Sequence, residues 1–274
     1  MSRISRWLDY WWPALLDLLF PPSCLLCRRP IGLDYGRDEQ GLTCRDCWNE
    51  IGRRPPGLAP CSRCARFLSS PPGENPEPLT CPECSVDPPP FQAAVAAGPY
   101  GGTLRQAIHL FKYRGRNQLA VPLAAVMAKS LRPWLNQLGG EVLVVPVPLH
   151  RRRLAERGFN QAALLAEALV KTIKRGGTET AVNCTLRYRP GVLERPVETP
   201  PQTGLNRAQR RINLAGAFRV AEAEIRLVTG RQILLIDDIL TTGSTSAECT
   251  RALLAAGSGP VRVGLLAAGL IDPS

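Results

Sequence analysis

The spacing of the cysteines constrains this chain more than any other feature. Eight of its ten cysteines form four C-x-x-C pairs, and each member of the first two pairs recurs 37 residues later. Identical internal spacing in both halves indicates a duplicated unit rather than scattered thiols. The eight residues are Cys24, Cys27, Cys44, Cys47, Cys61, Cys64, Cys81 and Cys84.

The chemistry of these pairs favours two structural Zn²⁺ ions. One C-x-x-C pair offers two thiolates to a metal ion and a second pair completes a tetrahedron, which leaves no open position for catalysis. The spacing C-x₂-C-x₁₆-C-x₂-C is typical of such sites. Disulfides are disfavoured because no export signal is recognised, and a redox C-x-x-C usually occurs singly. Two pairings stay open: ribbons would join neighbouring pairs, whereas a cross-brace would join the first pair with the third.

A second informative feature is the run ILLIDDILTTGST at residues 233–245. Four branched aliphatic residues predict a strand buried on both faces, and Asp237 and Asp238 follow at its carboxyl end. The next residues predict the start of a helix that extends to about Ala256, with Gly257 as its C′ residue. They are Thr241, Thr242, Gly243, Ser244 and Thr245.

Small hydroxyl residues and a glycine at a helix N-terminus bind anions, because backbone N–H groups and the helix dipole favour negative charge there. Neighbouring carboxylates accept hydrogen bonds from ribose hydroxyls, so this run predicts a site for a phosphorylated ribose. Two acids after an apolar strand are also typical of a magnesium-binding Walker B element. The chain lacks the G-x-x-x-x-G-K-[ST] motif that such an element requires.

Alternating strand-like and helix-like patterns after Pro88–Pro90 predict an α/β domain with a parallel sheet. The module boundaries follow as 1–23, 24–87 and 91–274. Predicted strands cover residues 91–98, 141–147, 181–186, 217–220, 232–236 and 261–267. Predicted helices cover residues 104–113, 119–138 and 162–173. Cys184 and Cys249 lie in apolar surroundings and are expected to be buried, inert thiols.

The strand at 141–147 leads into a basic segment that we interpret as a loop. Ligands of open α/β sheets bind beyond the carboxyl ends of the strands, which places this segment beside Asp237. Arginine side chains match pyrophosphate oxygens in bidentate geometry. The candidate ligands of a pyrophosphate are Arg151, Arg152, Arg153 and Arg157. A solvated charge run is the alternative, and His150 is expected to make a loop contact rather than act in catalysis.

Residues 201–213 form a long polar insertion, which in a compact domain is either disordered or a functional lid. Its basic residues favour a lid that closes over phosphates. The candidate lid residues are Gln202, Arg207, Arg210 and Arg211. Residues 91–274 hold 24 Lys and Arg against 12 Asp and Glu, so the basic excess belongs to the part with the phosphate site. Such an excess suits a pyrophosphate ligand, a nucleic acid or both.

The first 23 residues are rich in tryptophan and predict an amphipathic helix. Either it packs on its own protein or it contacts a membrane surface or a partner. Asp9, Pro13 and Asp17 interrupt the apolar run at residues 7–20, so no transmembrane helix is expected.

Together these parts resemble the ComF family, the competence protein F group. The resemblance covers nearly the whole chain after residue 23, whereas the tryptophan-rich start lies outside the pattern. Four cysteine pairs suggest two metal sites, more than some members carry. The matching segments are the cysteine pairs, FKYRG at 111–115, PVPLHRRRLAERGFNQ at 146–161, PQTGLNRAQRRINLAGAF at 201–218 and ILLIDDILTTGST.

The resemblance implies a type I phosphoribosyltransferase-like domain behind a double zinc-ribbon-like module. It also implies binding of phosphoribosyl pyrophosphate (PRPP) with Mg²⁺. In that family pattern Asp237 and Asp238 are the catalytic pair on the ribose hydroxyls, residues 241–245 hold the 5′-phosphate, and the arginines at 151–157 hold the pyrophosphate.

Two functions follow from the resemblance. In one, the protein binds PRPP and handles incoming single-stranded DNA in natural competence. Its place is then the cytoplasm, at the periphery of the inner membrane, with a competence helicase or an inner-membrane DNA channel as partner. In the other, it is an active phosphoribosyltransferase that acts on an unidentified nitrogenous acceptor.

Overall fold

A computed structural model describes residues 22–31, 42–70, 79–113, 116–176, 182–198 and 213–271. The chain comprises two compact units, Met1–Ile51 and Gly52–Ser274. The tryptophan-rich segment at 1–21 and the candidate lid residues lie outside the described residues.

The first unit is organised around its four cysteines. Its helix α1 spans Arg45–Glu50, with Cys44 at its N-cap. Ile31 is completely buried and packs with the cysteines in a small core of its own. Because few apolar residues at 22–31 and 42–51 support the cysteines, metal binding is expected to supply much of the stability of this part of the chain.

The second unit is built on a five-stranded, entirely parallel sheet, whose strands span Ala93–Pro99 (β3), Gly140–Pro146 (β4), Cys184–Tyr188 (β5), Gln232–Leu240 (β8) and Val261–Ala268 (β9). Their order across the sheet is β3-β9-β8-β4-β5. Two small antiparallel pairs accompany the sheet. They join Leu58–Pro60 (β1) with Phe67–Ser69 (β2), and Leu193–Glu194 (β6) with Arg219–Val220 (β7).

Helices connect the strands of the sheet, as parallel pairing requires. The helices span Pro82–Val86 (α2), Gly102–Tyr113 (α3), Ala120–Leu135 (α4), Arg151–Arg157 (α5), Gln161–Arg175 (α6), Ile225–Val228 (α7) and Ser244–Ala255 (α8). Helices α4 and α6 pack on each other, and α4, α6 and α8 pack on strands of the sheet. Single 3₁₀ turns occupy Asn117–Leu119 and Glu222–Glu224.

The predicted fold class is confirmed: a parallel sheet flanked by helices, accompanied by a cysteine-rich module. Gly257 has the left-handed conformation expected after a helix, with φ of 81°. Cys184 and Cys249 are buried, and burial raises the pKa of both thiols. The module boundaries at 24–87 and 91–274 mark a repeat and a change of composition, and they stay a prediction.

Three local predictions are wrong. The segment at 217–220 does not join the main sheet, because Arg219–Val220 pairs with Leu193–Glu194 instead. The strand predicted to end at Ile236 continues through both acids to Leu240, since Asp237 and Ile239 stay in register with β9. The basic segment after β4 is a helix, Arg151–Arg157, and not a loop.

Candidate functional site

A cleft of about 530 Å³ opens at the carboxyl ends of β4 and β8. This is the edge at which open α/β sheets bind their ligands. Both acids, two threonines and two arginines from the sequence analysis meet here. The lining comprises Tyr100, Lys112, Val147, Pro148, Leu149, Arg153, Arg157, Asn160, Gln161, Ala162, Arg195, Asp237, Asp238, Ile239, Thr241 and Thr245.

The two acids differ in their partners. The Asp238 carboxylate lies 2.7 Å from Lys112 Nζ, and both side chains are largely buried. Asp237 Oδ1 instead accepts a hydrogen bond of 2.8 Å from the backbone N–H of Asp238. Alternation along a strand points the two carboxylates in different directions, so only one of them meets the lysine.

The environment of Asp237 disfavours its ionised form. Burial and the neighbouring charge of Asp238 raise the pKa of Asp237 from 3.8 to about 7, although Lys112 acts in the opposite direction. A carboxyl group with such a pKa can hold or release a proton near neutral pH. Hydroxyl groups or a cation placed against Asp237 would favour its ionised form.

Helix α5 divides the four candidate arginines between two sets. Arg153 and Arg157 line the cleft, because residues four apart share one face of a helix. Arg152 bonds Glu156 at 3.2 Å and Glu198 at 3.0 Å and is exposed. Arg151 is also exposed and is absent from the lining. The basic segment therefore presents two arginines to the cleft and not four.

The ends of α5 explain its orientation. His150 Nδ1 accepts a hydrogen bond of 3.4 Å from the backbone N–H of Arg152, which makes His150 the N-cap of the helix. Gly158 ends the helix in the left-handed conformation, with φ of 78°. His150 thus makes the loop contact that the sequence predicts, and it is absent from the lining of the cleft.

The hydroxyl-rich run also has two sides. Thr241 and Thr245 line the cleft, whereas Thr242, Gly243 and Ser244 line a separate small cavity. Gly243 adopts φ of 78° and precedes the first residue of α8. The left-handed glycine turns the chain sharply from β8 into α8, so that the first turn of this helix lies at the carboxyl edge of the sheet.

Two cationic residues of the cleft were missed as candidates from the sequence. Lys112 lies on α3 within the FKYRG segment, 126 residues before Asp238, the acid that it contacts. Arg195 follows β6 and stacks over the Phe218 ring at 5.2 Å. Burial, followed by the charge of Arg153, lowers the pKa of Arg195. Periodicity gives no sign of either contact; the basic FKYRG segment was the available hint for Lys112.

Asn160 fixes the geometry between β4 and α6. Its side-chain oxygen accepts from the backbone N–H groups of Ala162 and Ala163, at 3.0 and 3.3 Å. Its amide nitrogen donates to the Val147 carbonyl at 3.0 Å. One side chain thus caps a helix and holds the end of the neighbouring strand, which sets the rear wall of the cleft.

The eight paired cysteines form two tetrads. Cys24, Cys27, Cys44 and Cys47 compose one, and Cys61, Cys64, Cys81 and Cys84 the other; within each, the Sγ atoms all lie within 4.8 Å of one another. Neighbouring C-x-x-C pairs therefore meet, which is the ribbon pairing and not the cross-brace.

The distances within each tetrad suit zinc. Cys27 Sγ and Cys44 Sγ lie 3.7 Å apart, and Cys64 Sγ and Cys81 Sγ lie 3.8 Å apart. A Zn–S bond of about 2.3 Å gives a tetrahedron with S–S edges of about 3.8 Å. Four thiolates of this geometry hold a structural zinc ion.

Comparisons with known proteins identify a matching domain model, several relatives and a solved structure. Residues 15–85 match the double zinc ribbon domain. DNA utilization protein YhgH of Salmonella typhimurium is 30% identical over 248 residues, covering 90% of this chain and 96% of the relative. Competence protein F of Haemophilus influenzae is 29% identical over 185 residues, covering 67% and 76%. A solved structure of the allosteric regulatory enzyme of purine biosynthesis covers 57% of this chain and 29% of its own, with 17% identity and a TM-score of 0.32.

Within the described residues, no helix combines the length and apolar character needed to cross a membrane.

Proposed function

Since the chain belongs to the ComF family, together with DNA utilization protein YhgH and competence protein F, we propose that it binds PRPP with Mg²⁺ in the cleft described above and acts in natural competence. The observation that supports PRPP as the ligand is that two acids, two hydroxyl residues at a helix start and two arginines line the same cleft. PRPP has the matching chemistry, because a ribose diol separates its 5′-phosphate from its pyrophosphate.

Each group has a defined role in this proposal. Thr241 and Thr245, at the start of α8, receive the 5′-phosphate. Asp237 and Asp238 accept hydrogen bonds from the ribose hydroxyls. Arg153 and Arg157 bind the pyrophosphate, whose charge the bound Mg²⁺ also offsets. The ionised form of Asp237, disfavoured by burial, gains hydroxyl donors when the ligand binds.

The site assignment is tested by calorimetry with Mg-PRPP on the full, zinc-loaded chain. The double variant Asp237→Ala with Asp238→Ala is expected to lose measurable binding. The matched control removes two acids outside the cleft, Glu167 and Glu224, by the same change to alanine, and is expected to retain the affinity. Unchanged binding in the first variant would overturn the assignment.

The role in competence rests on the names of the relatives and on the basic excess of residues 91–274. A protein that handles incoming single-stranded DNA needs cationic surface for the phosphates, and its affinity must fall as salt rises. Titration of a labelled single-stranded oligonucleotide at several salt concentrations tests this directly. An undetectable or salt-independent signal contradicts DNA handling while leaving the PRPP site intact.

The same role predicts a place at the cytoplasmic face of the inner membrane beside a competence helicase or DNA channel. Crosslinking in competent cells, followed by identification of the captured proteins, tests that location. Turnover is tested by pyrophosphate release from PRPP in the presence of a panel of nitrogenous bases. Release that depends on one base would make the protein a phosphoribosyltransferase.

A further inference from the structure

The duplication extends beyond the cysteines to the residues that support them. Arg29 pairs with Asp46 in the first tetrad, and Arg66 pairs with Glu83 in the second. Arg66 follows Arg29 by 37 residues and Glu83 follows Asp46 by 37 residues, the same interval as between the equivalent cysteines. The two tetrads are therefore structural copies, including an arginine that brings positive charge to the thiolates.

The two copies lie in very different surroundings. The side chains of Arg29 and Asp46 are 63% and 70% exposed, whereas those of Arg66 and Glu83 are 9% and 39% exposed. Arg66 also donates to Cys81 Sγ at 3.8 Å. All four cysteines of the second tetrad belong to the same buried core as strands β4, β8 and β9. The second copy is thus built into the α/β unit.

A chain of backbone hydrogen bonds connects this copy to the hydroxyl-rich run. The Phe67 N–H donates to the Gly269 carbonyl at 3.0 Å, and Ile271 N–H donates to the Phe67 carbonyl at 2.8 Å. Gly269 N–H in turn donates to the Leu240 carbonyl at 2.8 Å. Leu240 is the last residue of β8 and immediately precedes Thr241, so two bonds in series through Gly269 link the ribbon to the start of the run, and the Ile271 bond holds the same segment on Phe67.

A second connection is spatial. A cavity of about 40 Å³, room for very few water molecules, separates the second tetrad from the back of the run. Cys64, Arg66 and Cys84 line one part of it, and Thr242 and Ser244 line another. Thr242 Oγ1 and Ser244 Oγ lie 3.0 Å apart, so the hydroxyls that face this cavity also contact each other.

We propose that the second cysteine tetrad, with its metal, is a structural part of the ligand loop at 241–245, whereas the first tetrad is not. Loss of the metal from the second tetrad removes the crosslink that holds the Phe67 strand and the cavity wall in place. The loop then loses its fixed conformation. The choice of PRPP as ligand rests on the proposed function; the coupling between metal and loop does not.

Hydrogen–deuterium exchange measures the loop without any ligand. Arg66→Ala is expected to raise the exchange rate of the amides at 241–247 at least tenfold, because it removes the cation that supports the buried tetrad. Arg29→Ala is the matched control at the equivalent position of the first copy, and it should leave these amides unchanged. Equal exchange in the two variants would overturn the coupling.

Metal transfer to a colorimetric chelator provides a second measurement, because a ligand that fixes the loop is also expected to hold the second tetrad closed against metal loss. The variant Cys24→Ser with Cys27→Ser retains only the second site, so its full loss of metal reports that site. Saturating Mg-PRPP is expected to slow this loss at least fivefold. The first-site metal of the unaltered chain, whose release the Cys24→Ser with Cys27→Ser variant lacks, serves as control and should leave at an unchanged rate.

The outcomes separate the two proposals. If calorimetry finds no PRPP binding but Arg66→Ala alone frees the loop amides, the coupling stands and the ligand assignment fails. If PRPP binds but neither slows metal loss nor responds to Arg66→Ala, the ligand stands and the coupling fails. If Arg66→Ala unfolds the whole unit, the metal-transfer rates of the Cys24→Ser and Cys27→Ser variant decide alone.

Discussion

Lys112 Nζ lies 2.7 Å from a carboxylate oxygen of Asp238, and less than a fifth of the surface of each side chain is exposed to solvent. The contact joins the last turn of α3 to the strand that leads into the hydroxyl-rich run at 241–245. A buried pair of this kind positions both charged groups, although it contributes little net stability over an apolar pair.

Breaking that pair on one side is expected to be costly. Lys112→Ala leaves Asp238 buried without its ammonium partner, which should lower the free energy of unfolding by about 3 kcal/mol. Adding Asp238→Ala should recover much of the loss, because the uncompensated charge is then removed. Urea unfolding of the two single variants and the double variant measures the coupling; strictly additive losses would contradict a direct interaction.

The raised pKa of Asp237 predicts a pH-dependent stability. The unfolded chain loses this proton near pH 4 but the folded protein near pH 7, so the folded state binds more protons between these values. The free energy of unfolding contributed by this group therefore falls as pH rises through that window. Asp237→Asn should exceed the wild type at pH 8 by on the order of 2 kcal/mol and match it near pH 4.

Unfolding in urea across a pH series, without Mg²⁺ or PRPP, measures this difference. A stability gain of the same size at pH 4 and pH 8 would show that Asp237→Asn acts through packing rather than through its charge.

The faces of α5 predict unequal roles for neighbouring arginines. Arg157→Ala, which removes a fork from the cleft, should weaken Mg-PRPP binding about 30-fold, as expected when a charge-assisted contact worth about 2 kcal/mol is lost. Arg152→Ala removes the same charge from the exposed side and should change the affinity much less. Calorimetry at one ionic strength compares them, and equal losses would contradict the assignment by helix face.

Two glycines in the left-handed conformation allow the effect of backbone strain on stability to be distinguished from an effect on PRPP binding. Gly243 and Gly257 have φ of 78° and 81°, and an added Cβ would find its nearest neighbours at 3.8 Å in both places. Each change to alanine should therefore lower stability by about 1 kcal/mol, through backbone strain alone. The affinity for PRPP should fall only for Gly243→Ala. An equal fall in both variants would contradict the assignment of residues 241–245 to the PRPP site.

The sequence predicted those features of the site that depend on neighbours along the chain. The order of strand, acids, hydroxyl run and helix at 233–256 follows from local periodicity and helix-start chemistry, and the structure contains it. The spacing predicted eight metal-binding cysteines but left two pairings open, and only the structure shows that neighbouring C-x-x-C pairs form each tetrad.

The missing features depend on contacts between distant segments. Nothing in the sequence near Lys112 indicates that Asp238 lies opposite. The two residues are brought together by the order of the strands in the sheet, which local periodicity does not reveal. Arg219–Val220 reads as a sheet strand by composition, but β6 is its actual partner. The helical state of Arg151–Arg157 was missed because the segment has no buried residue and so no apolar periodicity.

The hydrogen bonds between Phe67 and residues 269–271 also bear on how the protein is made. The second set of cysteines is complete once Cys84 has been synthesised, whereas residues 269–271, which bond the backbone of Phe67, are translated only after all five strands of the sheet. Contacts of such long sequence separation form late in folding. The second tetrad can thus bind its metal before the α/β unit has folded. Residues 269–271 and the end of β8 then pack against a ribbon that is already formed.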